Sequence, residues 1–145
     1  MEEIYPQFPE LIYKCALIMR RGMMTNIKKI KLMTDYHCWP LWWNKDDSQR
    51  VGDIDLSELP LQKSTVEKLL AWQDRYDQQL NIDDPSASEW FSTVELEEFE
   101  NEGLSLWKQV SNELAEEYEV SYFSQKRQMI LQPDELSIYC VNIEK

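Results

Sequence analysis

The chain has 145 residues, 27 of them acidic and 15 basic, for a net charge of −12. A composition 43% hydrophobic and 12% aromatic supplies a core and argues against disorder. Three dispersed glycines (Gly22, Gly52, Gly103) exclude a glycine-rich phosphate cradle, and the lone His37 excludes sites built on two or three imidazoles.

Residues 1–26 read as an N-terminal extension. They hold three acids and three bases, so the whole net charge belongs to residues 27–145. The run Arg20-Arg21-Gly22-Met23-Met24 admits two readings. Its codons can spell a purine-rich ribosome-binding sequence, which makes Met24 the true start. Alternatively, Leu11, Ile12, Cys15, Ile18 and Met19 form the apolar side of a real helix. The apolar run Cys15–Met19 is far short of a bilayer span, and Arg20 and Arg21 follow it, the wrong order for a signal peptide. Cys15, Cys38 and Cys140 are an odd set without CxxC spacing, so neither a disulfide framework nor a zinc knuckle is expected. A reducing cytoplasm is the expected location.

Residues 27–145 read as a single α+β (or α/β) domain. Ile27–Tyr36 has strand alternation, with Ile30, Leu32 and Tyr36 on one face and Lys29, Lys31 and Asp35 on the other. Pro40 closes it. Residues 44–60 form a long polar connection with one short extended piece. Ser64-Thr65-Val66-Glu67 is a capping box, a hydroxyl followed three residues later by a glutamate, and opens a helix to about Leu80 that buries Val66, Leu69, Leu70, Tyr76 and Leu80. After a loop at 81–86, Ser92-Thr93-Val94-Glu95 repeats the signature. Behind it Leu96, Phe99, Gly103, Trp107, Val110, Leu114 and Tyr118 step by three or four, the stripe of a long helix. Residues 119–123, 129–131 and 136–143 have strand character. The order predicts two layers: a small sheet of three or four strands with two main helices on one face.

His37 beside Cys38 is the one imidazole next to a thiol. Neighbours in an extended chain point to opposite faces, so a catalytic dyad here needs a kink. Asp35, His37 and Cys38 offer zinc-type ligands without a fourth. Packing is the commoner role for such a thiol, and no cofactor or metal is expected. An enzyme with its site at Asp35, Tyr36, His37 and Cys38 is the alternative reading.

Six tryptophans are dense for this length, and Trp39, Trp42 and Trp43 fall within five positions. All three cannot face one interior, and exposed aromatics are favoured interface anchors. From Ser92 to Glu119 the chain carries nine glutamates and one lysine. With the stripe inward, Glu98, Glu102 and Glu116 point outward, flanked by Glu95 and Glu113. The later glutamates lie at the wrong end of the helix dipole, where a sequence tuned for stability places lysine. Such a field opposes direct nucleic-acid binding and docking on anionic membranes, and attracts a basic protein.

The segment Ile30–Trp42 is similar to the opening of a family of small bacterial cytosolic proteins with no agreed activity, a strand of the form K-L-M-x-D-Y-x-C-x-P-L-W. Leu59-Pro60-Leu61, Trp72 with Tyr76, Leu80-Asn81 and Asp84-Pro85 extend the likeness over about residues 29–124. In general character, small acidic proteins of this type resemble immunity proteins that neutralise toxins. The reading is a non-enzymatic acidic binding module, most concretely an immunity-type inhibitor of a basic toxin. Its contact residues are Trp39, Trp42, Trp43, Glu95, Glu98, Glu102, Glu113 and Glu116. Besides the enzyme, an accessory subunit without a toxin partner stands as a further alternative.

Overall fold

A computed structural model of the protein describes residues 27–45 and 49–140. The expectations for residues 1–26 lie outside the described residues. The elements in chain order are β1 (Lys28–Leu32), β2 (Leu41–Trp43), α1 (Lys63–Asp77), α2 (Thr93–Glu113), β3 (Tyr118–Ser124), β4 (Met129–Leu131) and α3 (Leu136–Tyr139). Single 3-10 turns occupy Leu56–Glu58, Pro85–Ala87 and Pro133–Glu135. The four strands form one mixed sheet in the order β2-β1-β3-β4. β1 pairs antiparallel with β2 and parallel with β3, and β3 pairs antiparallel with β4. The α+β architecture anticipated from the chain is therefore present. Among the described residues, no helix is long and apolar enough to cross a membrane.

Strand alternation explains which face is covered. Ile30 and Leu32 of β1, Val120 and Tyr122 of β3, Leu41 of β2 and Leu131 of β4 are all buried, and register puts them on a common face. Helices α1 and α2 supply the opposing layer. Trp72 of α1 stacks on Phe99 of α2 at 4.8 Å between ring centroids, and Trp107 of α2 stacks on Tyr122 of the sheet at 5.5 Å. Each indole also satisfies its one donor: Trp72 Nε1 donates to the Phe99 carbonyl at 3.0 Å and Trp107 Nε1 to the Val120 carbonyl at 2.8 Å. An aromatic side chain buries on the order of 200 Å², so each contributes about 5 kcal/mol of transfer free energy. Gly103 lies where these rings meet. A Cβ there would come within 2.6 Å of Trp72 Cζ2 and closer still to the Tyr122 hydroxyl. Close approach explains a glycine in mid-helix, despite its cost of about 1 kcal/mol relative to alanine.

Several boundaries differ from the sequence reading. β1 stops at Leu32, because the Met33 N–H turns to the Pro40 carbonyl at 2.9 Å and starts the return to β2. α1 begins at Lys63 and its N-cap is Gln62, so Ser64 is no cap and the first expected capping box does not form. The helix ends at Asp77 and buries Thr65, Leu69, Trp72, Gln73 and Tyr76. Leu70, expected inside, is 41% exposed. The second capping box does form: Ser92 Oγ accepts the Glu95 N–H at 3.2 Å and Glu95 Oε1 accepts the Ser92 N–H at 3.0 Å.

The expected last strand is instead the short helix α3 as far as Tyr139; residues 141–145 lie outside the description. Glu135 caps the preceding turn by accepting the Gln132 N–H at 2.8 Å. Leu136, Tyr139 and Cys140 then meet the core at helical spacing, which overrides the strand preference of Ile138 and Tyr139.

Candidate functional site

Several glutamates of α2 are tied into the fold. Glu95 completes the capping box. Glu102, expected to point outward, forms an ion pair with Arg75 of α1. Both members of that pair are about one-third exposed, so its net contribution is below about 1 kcal/mol.

Glu113 is turned to the start of α1. Its Oε1 accepts the Gln62 N–H at 2.9 Å and its Oε2 accepts the buried Thr65 hydroxyl at 2.5 Å. The carboxylate at the unfavourable end of its own helix thus stands at the favourable end of the neighbouring one. Glu97 pairs with Lys126 at 2.6 Å. Glu98 and Glu116 are exposed, Glu98 on α2 and Glu116 in the turn that follows it. Of the five glutamates singled out, Glu95 is exposed as well, whereas Glu102 and Glu113 are half-buried.

Trp39, Trp42 and Trp43 lie in and beside the β1–β2 connection, and all three are half-buried. Trp39 and Trp43 pack against the core, and the guanidinium of Arg50 lies 4.8 Å from the Trp43 ring centroid. Trp42 Nε1 donates to the Met33 carbonyl at 2.9 Å. The tryptophan left largely in solvent is a different one, Trp90, at 48% exposure. It stands just ahead of α2 and was not singled out from the sequence. Its neighbour Phe91 is buried, and no periodicity marks which of two adjacent aromatics turns outward.

The same connection holds Asp35, Tyr36, His37 and Cys38, and carboxylates fix its backbone. Asp77 accepts the His37 N–H at 2.8 Å, Asp53 accepts the Trp39 N–H at 2.7 Å, and Asp35 accepts the Tyr36 N–H at 2.8 Å. His37 adopts a left-handed backbone, φ 60°, a conformation uncommon outside glycine that these bonds hold in place. The Cys38 thiol donates to the Tyr36 carbonyl at 3.3 Å. Its pKa is pushed up, first by burial and then by Asp53, Asp35 and Asp77. A raised pKa keeps sulfur protonated at neutral pH, opposite to what a nucleophilic cysteine needs. Asp35, Asp53 and Asp77 thus serve as caps for a tight loop. Among the described residues, no three His, Cys, Asp or Glu side chains are placed to hold a metal ion.

Sequence reasoning also missed Glu100, which is 1% exposed. Its carboxylate accepts from the Tyr122 hydroxyl at 3.1 Å, the Ser124 hydroxyl at 2.7 Å and Arg127 Nη1 at 2.9 Å. Burial, and then this carboxylate, push the Tyr122 hydroxyl well above its ordinary pKa. A buried carboxylate persists only when paired and hydrogen-bonded, as here. Its position held a clue. Glu100 follows Leu96 by four and precedes Gly103 by three, so it lies on the inward stripe itself.

No curated protein matches the chain. Residues 28–125, from the first strand to just past the end of β3, match the model of a family described as Serratia CdiI immunity protein-like.

Proposed function

The chain belongs to the Serratia CdiI immunity protein-like family, and on that premise we propose that it is an immunity-type inhibitor that binds a basic toxin. The family match carries the inhibitory role. What supports a basic partner is the net charge of −12, concentrated between Ser92 and Glu119. Glu98 and Glu116 present negative charge outward, with Trp39, Trp42 and Trp43 as contact area on the β1–β2 connection. Glu102 and Glu113 are tied into the fold and contribute to the field rather than to direct contact, whereas Glu95 closes the capping box and is still exposed. A field of this sign accelerates encounter with a cationic surface, and the acceleration fades as salt screens it. Inhibition by occlusion calls for no cofactor, and the odd cysteine set fits a reducing compartment such as the cytoplasm.

The test is co-expression with any toxin domain encoded beside the gene, scored as growth rescue, followed by association rates of the purified pair against salt. Rescue, a complex, and an on-rate that falls with ionic strength are expected. The double reversal Glu98→Lys with Glu116→Lys slows association about tenfold at low salt while leaving the fold intact. A neighbouring toxin domain that is neither bound nor neutralised overturns the inhibitor reading. An on-rate indifferent to salt and to both reversals overturns the electrostatic part.

A further inference from the structure

A pocket of about 510 Å³ opens where the end of α1 meets the run into α2. Gln78, Gln79 and Leu80 line one side and Glu89, Trp90 and Glu95 another, and no Lys or Arg is among its lining residues. Trp90 is held by ring-edge contacts, 6.1 Å from Tyr76 and 5.2 Å from Phe91 between centroids, yet stays 48% exposed. The loop between the helices is built in advance. The Asn81 N–H donates to Ser88 Oγ at 2.8 Å, the Ala87 N–H to the Asp84 carbonyl at 2.8 Å, and the Ser86 hydroxyl to Asp84 Oδ1 at 2.6 Å.

We infer that this pocket receives an arginine side chain of the toxin, an assignment that rests on the inhibitor reading above. Three observations select a guanidinium. The lining carries two carboxylates, Glu89 and Glu95, with no positive side chain to balance them. The C-terminal end of α1 adds the negative pole of the helix dipole. An exposed indole offers a flat π-face, on which a planar guanidinium stacks better than a compact, strongly hydrated ammonium. The site also lies at the head of the acidic helix: Glu95 faces it and Glu98 follows by three, so an arginine steered by the outward charge meets the pocket as it docks. A loop already ordered before binding lowers the entropic cost of capture.

The pocket is tested on the full-length protein without any toxin. N-acetyl-arginine N-methylamide is titrated into the labelled chain, followed by the Trp90 indole cross-peak (assigned by its loss in Trp90→Phe) and the Leu80 and Glu89 amides. Saturable shifts at these positions are expected with the arginine compound and not with the neutral isostere, the citrulline analogue. Glu89→Gln, at an exposed position, weakens binding about threefold, as loss of an exposed charge partner does. Equal shifts with citrulline, or arginine shifts confined to other regions, overturn the pocket and leave the inhibitor reading standing. In a purified toxin complex, Trp90→Ala speeds dissociation about tenfold, as loss of an aromatic anchor does. A normal off-rate for both Trp90→Ala and Glu89→Gln overturns the pocket, whereas absence of any toxin complex overturns the inhibitor reading alone.

Discussion

The two long helices carry the same four residues at their starts, Ser-Thr-Val-Glu at 64–67 and again at 92–95, and only the second set caps its helix. At α2 the serine is the N-cap and the glutamate closes the reciprocal box. At α1 the helix has already begun two residues upstream of Thr65, and Glu113 of the other helix does the capping. Thr65 is fully buried and its hydroxyl reaches that carboxylate. A box at Ser64 would forfeit a charge-assisted bond to a buried hydroxyl for a local one facing water. A capping signature therefore states a local option, and a partner from elsewhere in the fold overrides it when it offers the stronger acceptor.

The contrast can be broken by substitution. Glu113→Ala has the largest expected effect, about 2 kcal/mol and roughly 6 °C in Tm, because it strands the buried Thr65 hydroxyl and leaves the exposed Gln62 N–H to water; a loss under about 0.5 kcal/mol by denaturant titration would refute capping from the other helix. The last turn of α1 is likewise set by its tertiary surroundings. Burial first, then Tyr36, Asp35 and Asp77, push Tyr76 up to about 12 from 10.0. Folded Tyr76 keeps a proton that the unfolded chain gives up near pH 10. Its contribution is whole below that pH and is lost as pH rises through the folded value. Between pH 10 and 12 this amounts to on the order of 2 kcal/mol. Denaturation midpoints of Tyr76→Phe should fall less steeply over that window than those of the parent, and parallel curves would sink the assignment.

Ser92→Ala removes a true cap and should cost about 1 kcal/mol. Ser64→Ala is the smallest, within about 0.5 kcal/mol, since the exposed serine caps nothing. If the two serine variants prove equally costly in chemical denaturation, the distinction between the two helix starts fails.

How much was legible follows the same division. β1, β3 and the stripe of α2 could be read because their periodicity is local and long enough to stand out. Tyr118 was placed on the helical stripe although it opens β3, a boundary that no local pattern marks. The burial of Glu100 was marked by its place on the inward stripe; the capping role of Glu113 and the pairing of Glu102 with Arg75 were not legible. Each depends on what another element brings to that point, and a glutamate on a helix reads as solvated unless its partner is known. α3 was misread for a related reason: Ile138, Tyr139 and Val141 favour strands by composition, whereas spacing against the core decides. In the candidate surface, residue type alone did not distinguish the half-buried Trp39, Trp42 and Trp43 from the exposed Trp90.

The parallel pairing of β1 with β3 joins Lys28 to Tyr118, so the middle of the sheet is knit from segments about 90 positions apart. Closing so large a loop is entropically costly, and native contacts that repay it form only after closure, which places the molecule among slow-folding topologies. Beforehand β1 has only β2 beside it, and a two-strand ribbon is marginal in water. During synthesis the sheet therefore cannot close until the chain through Ser124 has left the ribosome.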